Sequence, residues 1–390
     1  MHGRLKVLMV GNLPIDVTSI KGGVEAAIIN LFCGFSERSD ISVLHAAFTD
    51  EVQKETEVNF SDNVRIIFLP LKSKYPLLEY IMNRGILRRL IARESPGIIH
   101  VQESSPHLLR FLGIPRANIV VTQHGIMKEE LRYVRGIKGK AKFLFKYLVE
   151  RYFFPSFRNV IFISKYNRAL FNSCLEHEAH IYNPVNPVFF AHFNSGGNVS
   201  NAIIYVGVIS RRKNIRLVVE ALNVLRKRGI CYALHVVGDF KGDDPEYKKE
   251  IHEMVRSYGL GDQITFHGWL KQAQILDVYD KCSYFILPSQ QETLPISIAE
   301  AMAMGKVVMS SDVGAVSELF DNMQTGFLFE RNDLDALVQL LERFYKNPLT
   351  SDQLVKIRNI AIARYHPTEV ARRTVEFYQQ VVSSTKAAVA

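Results

Sequence analysis

The chain has 390 residues, 47% of them hydrophobic and 22% charged. At roughly 100–200 residues per domain that length predicts two domains, each able to bury its own core, and the composition excludes a disordered or fibrous chain. The formal net charge of +9 favours anionic partners (a phosphorylated substrate, an acidic membrane or nucleic acid) without choosing among them.

In chain order, Lys6–Val10, Ile41–His45, Val64–Leu69, Ile98–Val101, Ile119–Thr122 and Val160–Ile163 read as strands, with helical periodicity in Val24–Phe35 and Leu77–Arg93. Strands alternating with helices predict βαβ units and a mostly parallel sheet. Asn183-Pro-Val-Asn-Pro187 and Asn194-Ser-Gly-Gly-Asn198 then have linker chemistry. Beyond them the alternation restarts with Ala202–Val206, Ala233–Val237, Ile264–His267, Tyr284–Leu287 and Val307–Ser310, and Pro367–Val382 reads as a closing helix. The expected fold is therefore α/β, with two Rossmann-like domains whose parallel sheets face each other across a cleft. Residues 1–187 form the first, 188–366 the second, and 367–390 a helix packing back on the first. In such sheets ligands bind beyond the carboxyl ends of the strands, so the loops after the strands are the places to look for chemistry.

Four cysteines, Cys33, Cys174, Cys231 and Cys282, are scattered without a CxxC or zinc spacing, which fits free thiols in a reducing compartment. Lys6–Val10 has strand length and no cleavage site follows it, and no apolar run approaches the ~20 residues that span a bilayer. Together these predict a cytoplasmic protein.

The segment from Pro288 to Gly305 carries most of the chemistry. Pro295 suits the start of a helix and Gly305 its stop. The residues between are nearly all apolar apart from Glu300. A carboxylate on a buried helix is costly unless hydrogen-bonded, and vicinal sugar hydroxyls are suitable donors. Glu292 stands eight residues earlier, about 12 Å at 1.5 Å per residue, and the helix start between the two favours a phosphate. A structural role for a single buried glutamate is the alternative.

Further strand-end groups follow the same logic. Val206-Gly207-Val-Ile-Ser-Arg211-Arg212-Lys213 ends a strand in a glycine and three cations; a lysine there can neutralise a departing diphosphate, though a solvated basic turn has the same letters. Gly22-Gly23 opens a helix and lets backbone approach a phosphate or an acceptor. His124 ends the strand Ile119–Thr122, and Gly268-Trp269 ends Ile264–His267; either the histidine or the tryptophan has a structural alternative. Between Lys128 and Arg158 nine Lys/Arg face three Glu and interleave with aromatics. That suits an anionic membrane surface as well as an ordinary solvated helix. No recognised nucleic-acid motif accompanies the charge, so nucleic acid is not an expected partner.

These motifs resemble glycosyltransferase family 4, the retaining GT-B enzymes. The frame P-S-x-x-E…E-A-M-A-x-G is met by Pro288, Ser289, Glu292, Glu300, Ala301, Met302, Ala303 and Gly305, and the resemblance covers most of the chain. It implies a donor-sugar contact at Glu292, a ribose contact at Glu300, and donor binding by the adjoining Thr293 and Leu294. It further implies a diphosphate contact at Lys213, a contact with the transferred sugar at His124, donor phosphates facing Gly23, and a nucleobase at Gly268 and Trp269. The family's arginine position is Val208, a departure that leaves Arg211 or Arg212 to supply the charge. The implied activity is transfer of a hexose-type sugar from a UDP- or GDP-sugar, bound mainly to the second domain, to a glycan or lipid-linked acceptor bound to the first, in cell-envelope polysaccharide synthesis (capsule, O-antigen or lipopolysaccharide). Front-face substitution is implied, with no enzyme nucleophile and no cofactor. Asp333-Leu-Asp335 has the letters of a D-x-D metal motif but falls on a predicted surface helix, so metal independence is expected. A location at the inner face of the cell membrane would suit a lipid-linked acceptor. Two other functions share the plan: a nucleotide-sugar epimerase, which needs no acceptor hydroxyl, and a non-catalytic subunit of a polysaccharide assembly complex, in which the glutamate pair or Lys213 should be eroded.

Overall fold

A computed structural model describes residues 4–389 except 18, 19, 21, 72–75, 103–117, 133, 135, 172, 173, 194–199, 243 and 321–324. The linker segment 194–198 and Arg135 of the basic stretch thus lie outside the described residues. The chain divides into two units, Met1–Asn186 with Tyr365–Ala390, and Pro187–Arg364.

In unit 1 the order is β1 (Leu5–Val10), α1 (Gly23–Ser36), β2 (Ile41–Thr49), β3 (Thr56–Asn59), β4 (Val64–Pro70), α2 (Pro76–Glu94), β5 (Ile98–Gln102), β6 (Ile119–Gln123), α3 (Met127–Leu131), α4 (Ile137–Phe153), β7 (Asn159–Phe162), α5 (Lys165–Ala169) and β8 (His177–His180). They build one sheet ordered β3-β4-β2-β1-β5-β6-β7-β8, parallel except for β3 against β4. β5 and β6 are buried at every position, as strands covered on both faces must be, which explains their unbroken apolar runs. β3 and β8 escaped the sequence reading because they are short, polar edge strands, β3 being exposed throughout.

Unit 2 runs α6 (Pro187–Ala191), β9 (Ala202–Val206), α7 (Ile215–Lys227), β10 (Ala233–Val237), α8 (Pro245–Ser257), β11 (Ile264–Gly268), α9 (Gln272–Lys281), β12 (Tyr284–Leu287), α10 (Ile296–Ala303), β13 (Val307–Ser311), β14 (Phe327–Phe329), α11 (Leu334–Lys346) and α12 (Ser351–Tyr365). Its sheet is ordered β11-β10-β9-β12-β13-β14, and its neighbouring strands pair in parallel. Amphipathic helices cover it. α7 buries Ile215, Leu217, Val218, Val219, Leu222 and Leu225 on one face and ends in Arg226 and Lys227, cations that complement the negative end of the helix dipole. Asp333 accepts the Ala336 N–H at 2.9 Å and caps α11, which occupies one carboxylate of the D-x-D letters with a structural task.

The closing helix α13 (Pro367–Val389) belongs to unit 1 and packs on α1. Val370, Ala371, Val375, Tyr378 and Val381 join Phe32 and Phe35 in one buried cluster. The helices approach so closely at Gly34 that an added Cβ would lie 2.1 Å from the Pro367 carbonyl.

Candidate active site

In unit 2 the chain leaves β9, builds β10 and β11 to one side, then returns to lay β12 on the other side of β9. The order therefore reverses between β9 and β12, and the loops at the carboxyl ends of those two strands diverge there, which is where an open α/β sheet takes its ligand. The loop after β9 carries Arg211, Arg212 and Lys213; the loop after β12 carries Glu292, Thr293 and Leu294. The Gln290 N–H donates to the Arg212 carbonyl at 2.7 Å and ties the loops together.

Side chains complete the junction. Lys213 Nζ donates to Glu292 Oε1 at 2.6 Å. Arg212 donates to the Gln291 carbonyl at 2.6 Å and stands 3.5 Å from Glu292 Oε2. Glu292 is only 5% exposed. Burial alone would raise its pKa, but Lys213 and then Arg212 outweigh burial and hold the carboxyl below its ordinary value. Burial pushes the Lys213 pKa down, with Glu292 opposing. A buried ion pair adds little net stability for its desolvation cost, whereas such pairs cluster where chemistry needs fixed charges.

Arg211 is drawn away from this junction. Its guanidinium bonds Asp244 and Glu250, both at 2.8 Å, and lies 4.8 Å from the centre of the Tyr247 ring. Of the two arginines left open by Val208, only Arg212 thus meets Glu292. Val208 itself is 49% exposed.

Gly314, in the loop after β13, was not singled out from the sequence. Its φ is +59°, and an added Cβ would lie 1.7 Å from the Glu292 carbonyl oxygen. The β13 loop thus presses on the backbone that carries Glu292. A single glycine after a strand is a common turn residue, so only the contact reveals what this one does.

Thr293 and Leu294 are half-buried beside Glu292. Helix α10 then buries Ile298, Ala299, Ala301, Met302 and Ala303, with Pro295 at its N-cap. Glu300 is half-buried on α10, and no bond to its carboxylate was found among the described residues. Burial raises its pKa to about 7. Gly268 and Trp269 close β11 at the same sheet edge, with β10 between them and β9. Trp269 is 41% exposed, so the core-packing alternative for it does not hold. Among the described residues no group of three or more His, Cys, Asp or Glu converges as a metal site.

Unit 1 reverses its strand order between β1 and β5. Gly23 opens α1 beyond β1, and an added Cβ there would meet nothing within 4 Å. His124 directly follows β6, is 8% exposed, and its Nε2 lies 2.6 Å from Gln102 Oε1 at the end of β5. Burial lowers its pKa to about 4, with Asn183 opposing, so the imidazole is neutral at pH 7. Gln102 was another residue the sequence reading passed over, since a buried amide at a strand end has no pattern of its own.

Residues 190–362 match the family described as glycosyl transferases group 1, and residues 21–189 match glycosyltransferase family 4. A putative colanic acid biosynthesis glycosyltransferase of Escherichia coli, WcaL, is 26% identical over 46% of this chain and 42% of its own length. The match thus spans less than half of that curated relative. Among solved structures, sucrose-phosphate synthase from Thermosynechococcus elongatus superposes with a TM-score of 0.78 at 18% identity, over 98% of this chain and all of that one (100%). Anabaena HepE, solved in complex with UDP and glucose, gives 0.69 at 18% identity over 96% and 99% of the two chains. With two successive family matches from residue 21 to residue 362 on two parallel-sheet domains of GT-B architecture, the chain belongs to glycosyltransferase family 4.

Proposed function

We propose that the chain is a retaining glycosyltransferase that moves a hexose-type sugar from a UDP- or GDP-sugar to a hydroxyl of a glycan or lipid-linked acceptor in cell-envelope polysaccharide synthesis. The observation that carries it is the Lys213–Glu292 pair at the strand-order reversal of unit 2. Glu292, kept anionic by its cations, accepts hydrogen bonds from the donor sugar. Lys213 and Arg212 stabilise the charge that gathers on the departing diphosphate. Glu300 takes the ribose hydroxyls, with Thr293 and Leu294 lining the sugar and Gly268 and Trp269 beside the base. The colanic acid assignment of WcaL supports the envelope context, and the UDP complex of HepE supports a nucleotide donor.

In this reaction the bond from the anomeric carbon to the diphosphate oxygen breaks while the acceptor oxygen bonds to the same face. The acceptor's proton passes to the leaving diphosphate. The protein's own share is positioning and charge stabilisation. With Lys213 and Arg212 supplying positive charge, transfer proceeds without a metal; undiminished activity in EDTA is expected, and activity regained only on adding Mg²⁺ or Mn²⁺ would overturn this.

The outer face of α4 supports contact with an anionic membrane. Ile137, Leu144, Leu148 and Tyr152 are 90%, 46%, 41% and 72% exposed. At about 100° per residue they share one helical face, bordered by Lys138, Lys140, Lys142 and Arg151. No helix of the described residues is long and apolar enough to cross a membrane, and the stripe instead suits a helix lying in the lipid interface.

The test is a screen of UDP-, GDP- and ADP-sugars for binding, followed by transfer to polyprenyl-linked saccharide acceptors with NMR assignment of the product anomer. Transfer with retained configuration is expected. An inverted anomer would remove the front-face mechanism, and turnover without an acceptor hydroxyl would make the chain an epimerase.

A further inference from the structure

Four consecutive residues after β9, Arg211 to Asn214, divide their side chains between two tasks. The turn that carries them is closed on itself, since the Ser210 carbonyl accepts the N–H groups of Lys213 and Asn214, both at 3.0 Å. The inner residues, Arg212 and Lys213, reach the Gln291 carbonyl and Glu292. The outer residues reach elsewhere. Arg211 donates from Nε to Asp244 and from Nη1 to Glu250, both at 2.8 Å, and lies 4.8 Å from the centre of the Tyr247 ring. Asn214 donates from Nδ2 to Asn332 Oδ1 at 3.1 Å.

Both outer anchors are built into the fold of unit 2. Asp244, Tyr247 and Glu250 follow one another at three-residue spacing from the N-cap of α8, so they share one helical face. Asp244 accepts the Tyr247 N–H at 3.2 Å, and Asp244 and Tyr247 are 9% and 2% exposed. The planar Arg211 guanidinium spans the two carboxylates and meets the ring, which a lysine could not do. At the other end, Asn214 and Asn332 stand at φ +54° and +67°, a left-handed conformation that asparagine accepts better than most residues. Asn332 exchanges hydrogen bonds with Gln290, two residues before Glu292: its Oδ1 accepts from Gln290 Nε2, and its Nδ2 donates to Gln290 Oε1 at 3.3 Å. One amide thus joins the turn after β9 to the loop after β12, and it directly precedes Asp333, the N-cap of α11.

We propose that Arg211 and Asn332 are positioning residues that hold the turn after β9 at its two ends and so fix Arg212 and Lys213 against Glu292. The anchorage stands on geometry alone, whereas its consequence for turnover rests on the glycosyltransferase reading. Asp244 and Glu250 neutralise the first of three consecutive cations, which leaves Glu292 to the other two. A misplacement of about 1 Å in a positioned group costs on the order of a hundredfold in rate, so anchors that touch no substrate still govern transfer. The competing role for Arg211, direct contact with the donor diphosphate, would require its guanidinium to leave both carboxylates and would show as lost donor affinity.

A double-substitution cycle on thermal midpoints of the full chain at pH 8 tests the anchorage without substrate. Lys213→Met lowers the midpoint by breaking the pair with Glu292. In an Arg211→Gln chain the same substitution should lower it by about half as much or less, because residues of one network couple. Asn332→Gly, which keeps the left-handed conformation and removes only the amide, should shrink the drop in the same direction. Arg228→Gln, which breaks an exposed pair with Glu342 at the far end of α7, is the control and should leave the drop unchanged. An undiminished drop in the Arg211→Gln or Asn332→Gly chain would overturn the inference for that residue, and an equal shrinkage in Arg228→Gln would overturn it for both. In transfer assays Arg211→Gln and Asn332→Gly should each lower kcat about tenfold with the donor KM within about threefold, and Arg211→Lys should recover part of the loss. A raised donor KM at unchanged kcat would instead make Arg211 a donor ligand. If Arg211→Gln does not fold, Asn332→Gly, at an exposed position, still decides whether the turn is anchored. The midpoints need no donor, so an absence of any transfer by the wild type would strike the proposed function and leave the anchorage result standing.

Discussion

Lys213 Nζ sits 2.6 Å from Glu292 Oε1, across a junction of two loops 79 residues apart in sequence, with Glu292 almost wholly buried. The pair holds the Glu292 pKa below its unfolded value, since Lys213 and Arg212 outweigh burial. Its contribution to stability is therefore present above the unfolded carboxyl pKa and is lost as pH falls through the lower folded value. Lys213→Met removes the nearer cation and leaves burial as the larger influence on the carboxyl. We expect it to lose transfer and about 3 kcal/mol of stability at pH 8, in line with breaking a buried pair. The deficit should shrink at pH 5.5 as Glu292 takes up a proton. Thermal midpoints at the two pH values check this, and a deficit that does not change with pH would refute it.

The sequence made this junction only half legible. Lys213 and Glu292 each stood out by type and place at a strand end, and β9, β10 and β12 were bounded as observed. Apolar parallel strands and glycine-ended helices follow local rules, which is why the α/β plan could be read. That the two residues touch depends on β12 returning to lie beside β9, a long-range pairing no local pattern encodes. The same limit kept Arg211 and Arg212 indistinguishable, because the partners that draw Arg211 away, Asp244 and Glu250, lie 33 and 39 residues further on. Gly314 and Gln102 act through single buried contacts, with no spacing to announce them.

Glu300 offers a test by pH. Burial raises its pKa to about 7. Between the unfolded value near 4.5 and that point the unfolded state has released a proton that the folded state keeps. Stability is thus present below the lower value and lost as pH rises through the higher one. Glu300→Gln should consequently raise the thermal midpoint at pH 8 and leave it unchanged at pH 4.5. If the ionised carboxylate takes the ribose hydroxyls, wild-type affinity for a nucleotide sugar should increase from pH 6 to pH 8. The variant should bind about ten- to a hundredfold more weakly at pH 8, as for a charge-assisted hydrogen bond. Calorimetric titration across that range decides, and equal affinities for the two proteins would remove the ribose contact.

Gly314→Ala probes how tightly the Glu292 backbone is held. The new Cβ would stand 1.7 Å from the Glu292 carbonyl oxygen, in a left-handed conformation at φ +59°. The conformation alone costs about 1–2 kcal/mol, and the overlap must displace one loop. We expect kcat/KM to fall on the order of a hundredfold, as for a misplacement of about 1 Å in a positioned group. Gly242→Ala is the control, since an added Cβ there meets nothing within 4 Å. Equal kinetics for the two variants would show that the Glu292 loop tolerates the shift.

The exposed stripe of α4 separates two forces that act together on a membrane. Leu144 and Leu148, four residues apart on the same face, are 46% and 41% exposed, so aspartate at both should fold without disturbing the core. Leu144→Asp with Leu148→Asp removes apolar insertion, while Lys140→Glu with Lys142→Glu removes attraction to anionic headgroups, worth about 1 kcal/mol per cation near the surface. Cosedimentation with vesicles of mixed neutral and anionic phospholipid should fall for both pairs. Only the wild type and the leucine variant should respond strongly to added salt, because the charge term is screened and the apolar term is not. Kinetics with a water-soluble acceptor should be unchanged in every case, as neither pair touches Lys213, Glu292 or His124. Vesicle binding that survives both double substitutions would remove α4 as the contact surface.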